Sequence, residues 1–474
     1  MARTLEPDIC VLGAGSAGLS VAAGASQMGA RTVLVEAGKM GGDCLNYGCI
    51  PSKSLLVAAK AAVAHRRAGA FGVRYEAPRI DFQAVHDHVH GVISTIAPMD
   101  SVERFEGLGV TVIRANGRFT GPREVEAGDV RIRARRFVVA TGSRPVVPAV
   151  PGLDQVPYLT NETIFDLTDR PEHLIVIGGG PIGCELGQAF HLLGARVSLV
   201  EMASILPRDD PELVDILRTR LRADGIEVLE GARLIGARPA DGGVEVTVKQ
   251  DGGTQSLTGS TLLLAVGRRP AVEGLGLDAA GVAYDDGGIE VDARLRTTNK
   301  RVFAAGDVCG GPQFTHVASH HASVVLRNAL FRLPAKVEAR AVPWVTYTEP
   351  ELAHVGLTEA EATQTHGKIG VLRWPFHEND RAQAERSTDG LVKVVTTPGG
   401  KVLGASILGA HAGELIQPWI LAIGQGIKLT AMAQMIAPYP TLGEVNKRAA
   451  GSFFAPRLFG ARTKQIVRLL ARLG

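Results

Sequence analysis

Aromatic residues are scarce, at 5% of 474 positions, and cysteines number only five. Five cysteines over this length are too few for a disulfide-stapled secreted scaffold, so the expected compartment is the reducing cytosol. Charge of one sign is also lacking. Lys and Arg total 51 against 48 Asp and Glu, a net +3, which excludes the basic footprint of a nucleic-acid binder. No segment supplies the roughly 20 apolar residues of a membrane span. The first apolar strand begins within about eight residues, without the basic region, long apolar core and cleavage site of an export signal. Glycine, by contrast, is abundant at 57 residues, and 45% of the chain is hydrophobic, which points to a large globular chain of two to four domains with ample core.

The most informative stretch is Gly41-Gly42-Asp43-Cys44-Leu45-Asn46-Tyr47-Gly48-Cys49-Ile50-Pro51-Ser52-Lys53, where two thiols lie five residues apart. On an ideal helix such residues stand about 140° apart and roughly 7.5 Å along the axis, so a bridge between them needs a loop or a distorted turn. The glycines supply that irregular backbone. Pro51 suits a first helical position and Ser52 to Ala64 reads as a helix, which leaves Cys49 near a positive dipole end where a thiolate is stabilised. The alternatives are two inert buried cysteines or half of a zinc site. A second close cysteine pair to complete such a site is missing, so no metal is assigned.

Two segments repeat one design. Asp8-Ile9-Cys10-Val11-Leu12 enters Gly13-Ala14-Gly15-Ser16-Ala17-Gly18, a G-x-G-x-x-G turn, followed by a small-residue helix and Thr32-Val33-Leu34-Val35-Glu36. Leu174-Ile175-Val176-Ile177 enters Gly178-Gly179-Gly180-Pro181-Ile182-Gly183, then a helix, then Val197-Ser198-Leu199-Val200-Glu201. Such glycines let backbone amides approach a pyrophosphate, and an acid at the next strand's end can bind a ribose diol. Two copies imply two dinucleotides. Glu201 favours the unphosphorylated ribose of NADH over NADPH, with Arg208 nearby as the residue that could reverse the preference.

Further strand exits fit a doubly wound layout. Arg136 to Val139 ends in Ala140-Thr141-Gly142-Ser143, Leu262 to Val266 ends in Gly267-Arg268-Arg269-Pro270, and Arg301 to Ala305 leads into Gly306-Asp307. Glycines and hydroxyls there stand where such sheets bind ligands, and Asp307 is placed to hold a polyol hydroxyl. From about Pro343 the pattern shifts to alternating strands such as Val392–Val395 and Lys401–Ile407, marking a separate domain.

Taken with these motifs, Cys44-x4-Cys49-x-Pro51-x-Lys53 gives the chain up to about Ser452 a resemblance to the FAD-dependent pyridine nucleotide-disulfide oxidoreductases, the group of dihydrolipoamide dehydrogenase, glutathione reductase and mercuric reductase. The resemblance implies an α/β fold with two Rossmann-like domains and an α+β dimerisation domain. Its layout is an FAD domain over 1–150, an NAD domain over 151–272, a central part completing the FAD domain over 273–342 and an interface domain over 343–455; a basic amphipathic tail over 456–474 lies outside the resemblance. It implies a homodimer in which each site is completed by the partner. Cys49 would lie against the flavin as the charge-transfer thiolate, and Cys44 would be the thiol that attacks a small or protein-bound disulfide. Lys53 would approach the flavin, paired with Glu185. Gly13, Gly15, Gly18, Glu36, Gly117, Thr141, Gly142, Ser143, Asp307 and His316 match positions around FAD, whereas Gly178, Gly180, Gly183, Glu201 and Gly267 match NAD contacts.

Departures limit what the resemblance implies. Disulfide-reducing members have His-Pro-Thr followed three residues on by Glu; here the run is Tyr439-Pro440-Thr441-Leu442-Gly443-Glu444. Tyrosine, with a reference pKa near 10, donates well and is a poor base at neutral pH. A tyrosine there resembles mercuric reductase, but no cysteine follows Cys309, no leading C-x-x-C domain is present, and Glu201 does not suit NADPH. Asp43 replaces the usual threonine. Three enzyme readings stay open, a dihydrolipoyl dehydrogenase-like enzyme, a metal reductase and a quinone reductase, beside a redox sensor. His316 and His320 fall on one helical face, a proton relay or simply a polar surface, and His320 and His321 read as surface. Cys10, Cys184 and Cys309 read as small buried residues. After Glu444 no acid occurs, while Arg457, Arg462, Lys464, Arg468 and Arg472 accompany Ile466, Leu469, Leu470 and Leu473 at helical spacing. That basic amphipathic helix suits an anionic membrane surface, a partner, or the protein's own surface.

Overall fold

The computed structural model describes residues 3–472, and the chain divides into two compact units. The first combines Met1–Met202 with Leu229–Val337; the second combines Ala203–Val228 with Glu338–Gly474.

In the first unit the main strands are β1 (Ile9–Leu12), β2 (Thr32–Val35), β3 (Val110–Ile113), β4 (Arg136–Val139), β5 (His173–Ile177), β6 (Arg196–Glu201), β7 (Thr261–Leu264) and β8 (Val302–Ala304). They form two parallel sheets, one in the order β8-β4-β1-β2-β3 and the other placing β5 between β6 and β7. Every residue of β1, β2 and β5 is buried, as continuous apolar runs are when helices cover both faces of a parallel sheet. Strand β7 ends at Leu264, two residues earlier than the pattern predicts. Beyond it the chain must turn, because the Ala265 carbonyl lies against Gly178.

The two glycine turns are sterically matched at their first and last glycines. A Cβ on Gly13 would stand 2.3 Å from the Ala140 carbonyl oxygen, and one on Gly178 would stand 2.3 Å from that of Ala265. A Cβ on Gly18 would meet the Gly13 oxygen at 1.8 Å, and one on Gly183 would meet the Gly178 oxygen at 1.8 Å. With φ of 104° and 113°, Gly13 and Gly178 also occupy backbone conformations that side chains disfavour. Helix α1 (Ser16–Gln27) follows the first turn, and the second turn leads into a helix at Pro181.

The second unit is built on an antiparallel sheet of β9 (Pro343–Thr346), β10 (Glu351–Gly356), β11 (Gly370–Pro375), β12 (Leu391–Thr396) and β13 (Val402–Gly409), in the order β9-β10-β13-β12-β11. Its core gathers Phe376, Val392, Ile407 and fully buried Trp419, whose indole N–H donates to Asn446 Oδ1 at 2.7 Å. Lys393 on β12 is buried among carboxylates, its Nζ 2.7 Å from Asp210 Oδ2, 2.9 Å from Glu212 Oε2 and 2.7 Å from Glu359 Oε2. Arg373 holds Glu212 through Nε and Nη2 at 2.8 Å each. These contacts explain why Ala203–Val228, read as part of the NAD domain, groups with this unit.

The basic tail is helical over Ala455–Leu458 and Ala461–Leu470, and Leu473 lies outside the described residues. Among the described residues no helix is long and apolar enough to cross a membrane.

Candidate functional site

The cysteine pair is set by two short decisions of the backbone. Gly41, with φ of 85°, caps helix α2 (Gly42–Asn46), which carries Cys44; helix α3 (Cys49–Ala68) then starts at Cys49 itself. The helix begins three residues earlier than expected because Gly48 adopts the non-helical cap and its carbonyl accepts from the Ser52 N–H at 3.1 Å. Cys49 therefore occupies the first position of a 20-residue helix, where unpaired amide donors and the dipole favour an anion. Both cysteines are free thiols and share a hydrogen bond. The thiol of Cys49 is held well below the ordinary range, first by that bond from Cys44, then by the Thr315 hydroxyl 3.4 Å away and the charge of Lys53, against the opposing effect of burial. Cys44 is pushed strongly up, because its proton is the one shared with Cys49 and burial disfavours its anion. One thiol is thus poised as a thiolate and the other as its proton donor.

Lys53 follows Cys49 by one helical turn, on the same face of α3. Its Nζ donates to Glu185 Oε2 at 2.8 Å, with the Glu185 side chain 6% exposed. Glu185 comes from helix α4 (Pro181–Leu192), two residues past Gly183, so the second glycine turn anchors the ion pair beside the thiols. The expected Lys53–Glu185 pairing is present.

The backbone fits the dinucleotide reading. Glu36 Oε2 accepts from the Ala14 N–H and Glu201 Oε2 from the Gly179 N–H, the middle residue of each glycine turn, at 2.5 and 2.7 Å. Gly15 opens onto Gly42: a Cβ on Gly42 would lie 2.6 Å from the Gly15 Cα, so the cysteine turn and the first glycine turn meet backbone to backbone. Gly180 has nothing within 4 Å of its Cβ position, nor have Gly142 and Gly267, which leaves room for a ligand's close approach. Gly117 differs, since its Cβ position is 2.7 Å from Leu12 Cδ2, and its small size is required by packing. Thr141 donates to the Ala271 carbonyl at 2.8 Å, and Ser143 donates to Asp307 Oδ2 at 2.7 Å. The residues at these positions suit FAD at the first turn and a pyridine nucleotide at the second.

Helix α5 (Thr315–Ala329) brings its first residue, Thr315, to Cys49, a contact between residues 266 apart that sequence reasoning missed. His316 stacks on Phe314 with ring centroids 5.3 Å apart. His320 is exposed, but His321 corrects the surface reading: it is buried, and its Nδ1 accepts the Gly306 N–H at 3.2 Å. Burial and the neighbouring His320 push its pKa down to about 4, so it is neutral at physiological pH. Cys10 and Cys184 are fully buried and Cys309 partly so, as small core residues.

Asp43, Arg268 and Asn161 were not predicted as a group. Arg268 Nη2 lies 2.9 Å from Asp43 Oδ1, which also accepts from Asn161 Nδ2 at 3.1 Å. Only the oddity of an aspartate before Cys44 signalled this. In the second unit, Tyr439 donates to Asp380 Oδ2 at 3.0 Å, which raises its pKa, so the phenol is a weaker acid and less phenolate is present to act as a base at neutral pH. Glu444 faces Arg448 at 4.0 Å, so the tyrosine's carboxylate partner is Asp380.

Two glycine-turn parallel sheets that share a dithiol turn, with a lysine–glutamate pair between them, define a flavin- and pyridine-nucleotide-dependent dithiol oxidoreductase. The chain belongs to the pyridine nucleotide-disulphide oxidoreductase family, whose signature matches residues 7–322, while the family's dimerisation domain matches 342–450 and supports a homodimer. The chain is 36% identical over 455 residues to a mercuric reductase of Streptomyces lividans, covering 94% of this chain and 96% of that one. It is equally 36% identical over 460 residues to a dihydrolipoyl dehydrogenase of Thermus scotoductus, with the same coverage. Among solved structures it resembles the HOCl-induced flavoprotein disulfide reductase RclA from Escherichia coli, with a TM-score of 0.83 at 26% identity over 94% of this chain and 99% of that one. A Cu(II) complex of RclA matches equally well, with a TM-score of 0.83 at 27% identity over 93% of this chain and 98% of that one. Such relatives are NAD(P)H-dependent FAD disulfide oxidoreductases, and this chain is one of that class of enzyme.

Proposed function

We propose that the protein takes electrons from NADH and delivers them through the Cys44–Cys49 pair to a disulfide acceptor. The observation that carries this is the polarised pair itself: Cys49 favoured as thiolate at a helix start, Cys44 holding the proton, and Lys53–Glu185 one turn away. Bound FAD supplies the two-electron relay between nicotinamide and disulfide. Gly13, Gly15, Gly18, Glu36 and Asp307 would hold it, and Gly178, Gly180, Gly183 and Glu201 the nicotinamide nucleotide. Two-electron reduction breaks the Cys44–Cys49 bond. Cys44, once deprotonated, attacks one sulfur of an acceptor R–S–S–R′, forming a mixed disulfide and releasing R′S⁻. Cys49 then attacks Cys44 Sγ, restoring the internal disulfide and releasing RS⁻. The sum is NADH + H⁺ + RSSR′ → NAD⁺ + RSH + R′SH. Lys53 stabilises negative charge arriving beside Cys49. In the dimer, Tyr439, with Asp380 and Glu444 near it, would come from the partner's second unit, and its phenol would donate a proton to the departing thiolate.

A soft metal ion is the second reading. It is favoured by Tyr439 and by the relatives named for mercuric ion and for a Cu(II) complex. A steady-state panel of lipoamide, glutathione disulfide, Hg(II), Cu(II) and a soluble quinone, each with NADH and NADPH, decides between them. Turnover with disulfides and a kcat/KM at least about tenfold higher for NADH, as Glu201 favours, is the expected result. Metal-only turnover would replace the first reading, and quinone-only turnover would replace both.

The tail adds a partner. Leu458, Phe459, Ile466, Val467, Leu469 and Leu470 are each more than half exposed, while Lys464 and Arg468, four residues apart, fall on the opposite side of the last helix and Arg472 follows just past its end. With no acidic residue after Glu444, that pattern is complementary to an anionic lipid surface. The full-length holoenzyme is expected to co-float with phosphatidylserine-containing vesicles at low salt. A Leu469→Asp, Leu470→Asp variant, or vesicles of phosphatidylcholine alone, should lose most of the binding. Equal flotation in all arms would end the membrane reading.

A further inference from the structure

Asp43 touches both arms of the cysteine pair. It precedes Cys44 directly, and its Oδ2 would lie 2.9 Å from a Cβ on Gly48, the residue that precedes Cys49. A carboxylate wedged there, uncompensated, would oppose any thiolate in the turn. It is compensated: Asp43 Oδ1 receives Arg268 Nη2 at 2.9 Å, and the Arg268 side chain is only 11% exposed. Arg268 Nε donates in turn to Ser143 Oγ at 2.8 Å, Nη2 donates to the Ser143 carbonyl at 3.0 Å, and Ser143 Oγ donates to Asp307 Oδ2 at 2.7 Å. On the other side, Asn161 Nδ2 bridges Asp43 Oδ1 and the Tyr47 carbonyl, at 3.1 and 3.2 Å, which ties down the loop between the cysteines.

The connected groups come from separate parts of the chain. Asp43 is on the cysteine turn, Ser143 follows β4, Arg268 follows β7 and Asp307 follows β8. We infer that Asp43 and Arg268 act as a charge-compensated positioning pair, which pins the cysteine turn to three strand ends and balances the electrostatic field in which Cys49 works. The inference rests on the reading of Cys49 as the working thiolate. The charged and titratable groups facing that sulfur are Cys44, Lys53 (itself neutralised by Glu185) and Asp43, with Arg268 and Asp307 behind Asp43. Asp43 raises the pKa of both thiols, the sign expected of its charge. A threonine would supply no such charge, and the largely buried Arg268 guanidinium would then keep its bonds to Ser143 but lose the carboxylate at 2.9 Å.

Opposite signs distinguish this from simple loosening of the turn. In the reduced holoenzyme, the alkylation rate of Cys49 by iodoacetamide, followed by mass spectrometry across pH, reports its thiolate. Asp43→Asn keeps an acceptor for Arg268 but removes the negative charge, and the alkylation midpoint should fall, by roughly half a pH unit or less for a partly exposed, paired charge. Arg268→Gln removes the compensation, and the midpoint should rise, by less than the Asp43→Asn shift because Arg268 stands behind Asp43 and farther from the sulfur. The double variant should return to near the wild type. If Asp43→Asn leaves the midpoint in place or raises it, the inference is overturned, and that variant alone decides it should Arg268→Gln fail to fold. The long-wavelength flavin band of the same preparations separates the two readings: its absence in the wild type refutes the assignment of Cys49 beside the flavin, whatever the alkylation midpoints do.

Discussion

Replacing Cys49 with serine is expected to remove disulfide turnover while leaving flavin reduction by NADH intact. Serine cannot form the internal disulfide, and its hydroxyl ionises far above the range of a thiol stabilised by Cys44, Thr315 and Lys53. The loss should be about a thousandfold or more in kcat, as when a covalent catalyst loses its nucleophile. Anaerobic titration with NADH gives a second signature. In the wild type a long-wavelength absorption band should accompany reduction and persist below pH 8, under the ordinary thiol pKa of about 8.5, because the folded protein favours the Cys49 anion. In Cys49→Ser that band should vanish although the flavin still bleaches. Cys44→Ser should also lose turnover, yet keep a thiolate at Cys49 and hence the band. In Cys44→Ala, which has no donor at that position, the pH midpoint of the band should rise, since the hydrogen bond from Cys44 is the largest contribution to the stability of the anion. If Cys49→Ser retained disulfide turnover, the dithiol would not lie in the electron path.

Lys393→Met carries the largest expected effect on stability. The ammonium is 4% exposed and is surrounded by Asp210, Glu212 and Glu359, so the substitution leaves Asp210, 2% exposed, as a buried carboxylate without its cation. Breaking a buried ion pair from one side typically costs about 3–5 kcal/mol, of which the surviving Arg373–Glu212 contact recovers nothing for Asp210. Burial alone would pull the Lys393 pKa down, but the three carboxylates outweigh it and hold it above normal, so the lysine's contribution to stability is lost only at strongly alkaline pH. Glu212, hydrogen-bonded by Arg373 and then by Lys393, is held down at about 2 against an ordinary 4.5. A depressed acid stabilises the fold above its unfolded pKa and loses that contribution as pH falls through the folded one. The denaturant midpoint of the wild type should therefore exceed that of Lys393→Met most clearly between about pH 5 and 10, and the gap should narrow as pH falls from 4.5 toward 2. A gap that persists unchanged at pH 3 would show that the cluster contributes through packing rather than charge.

Several features of this protein were legible without coordinates because they are local. The glycine turns at Gly13 and Gly178 are imposed by backbone contacts that no side chain tolerates, and their strands and terminal acids follow at fixed offsets. The start of α3 beside Cys49 was visible from Pro51 and the glycines, although the cap at Gly48 moved it three residues forward. The Lys53–Glu185 pair, 132 residues apart, was reached only through family resemblance, and geometry then supplied the 2.8 Å contact.

Cys44 and Cys49, their spacing, the two dinucleotide turns and the domain sharing the dimerisation signature were thus determined by the sequence alone. Tertiary structure decided which side chains surround them: Thr315 at Cys49, Arg268 and Asn161 at Asp43, Asp380 at Tyr439, and the inward turn of His321. It likewise decided that Lys393 draws in Asp210 across 183 residues of chain. Spacing rules reach only as far as one helix or strand keeps its period, whereas a charge or hydroxyl hundreds of residues away acquires its meaning only when strand order brings it within a few ångströms.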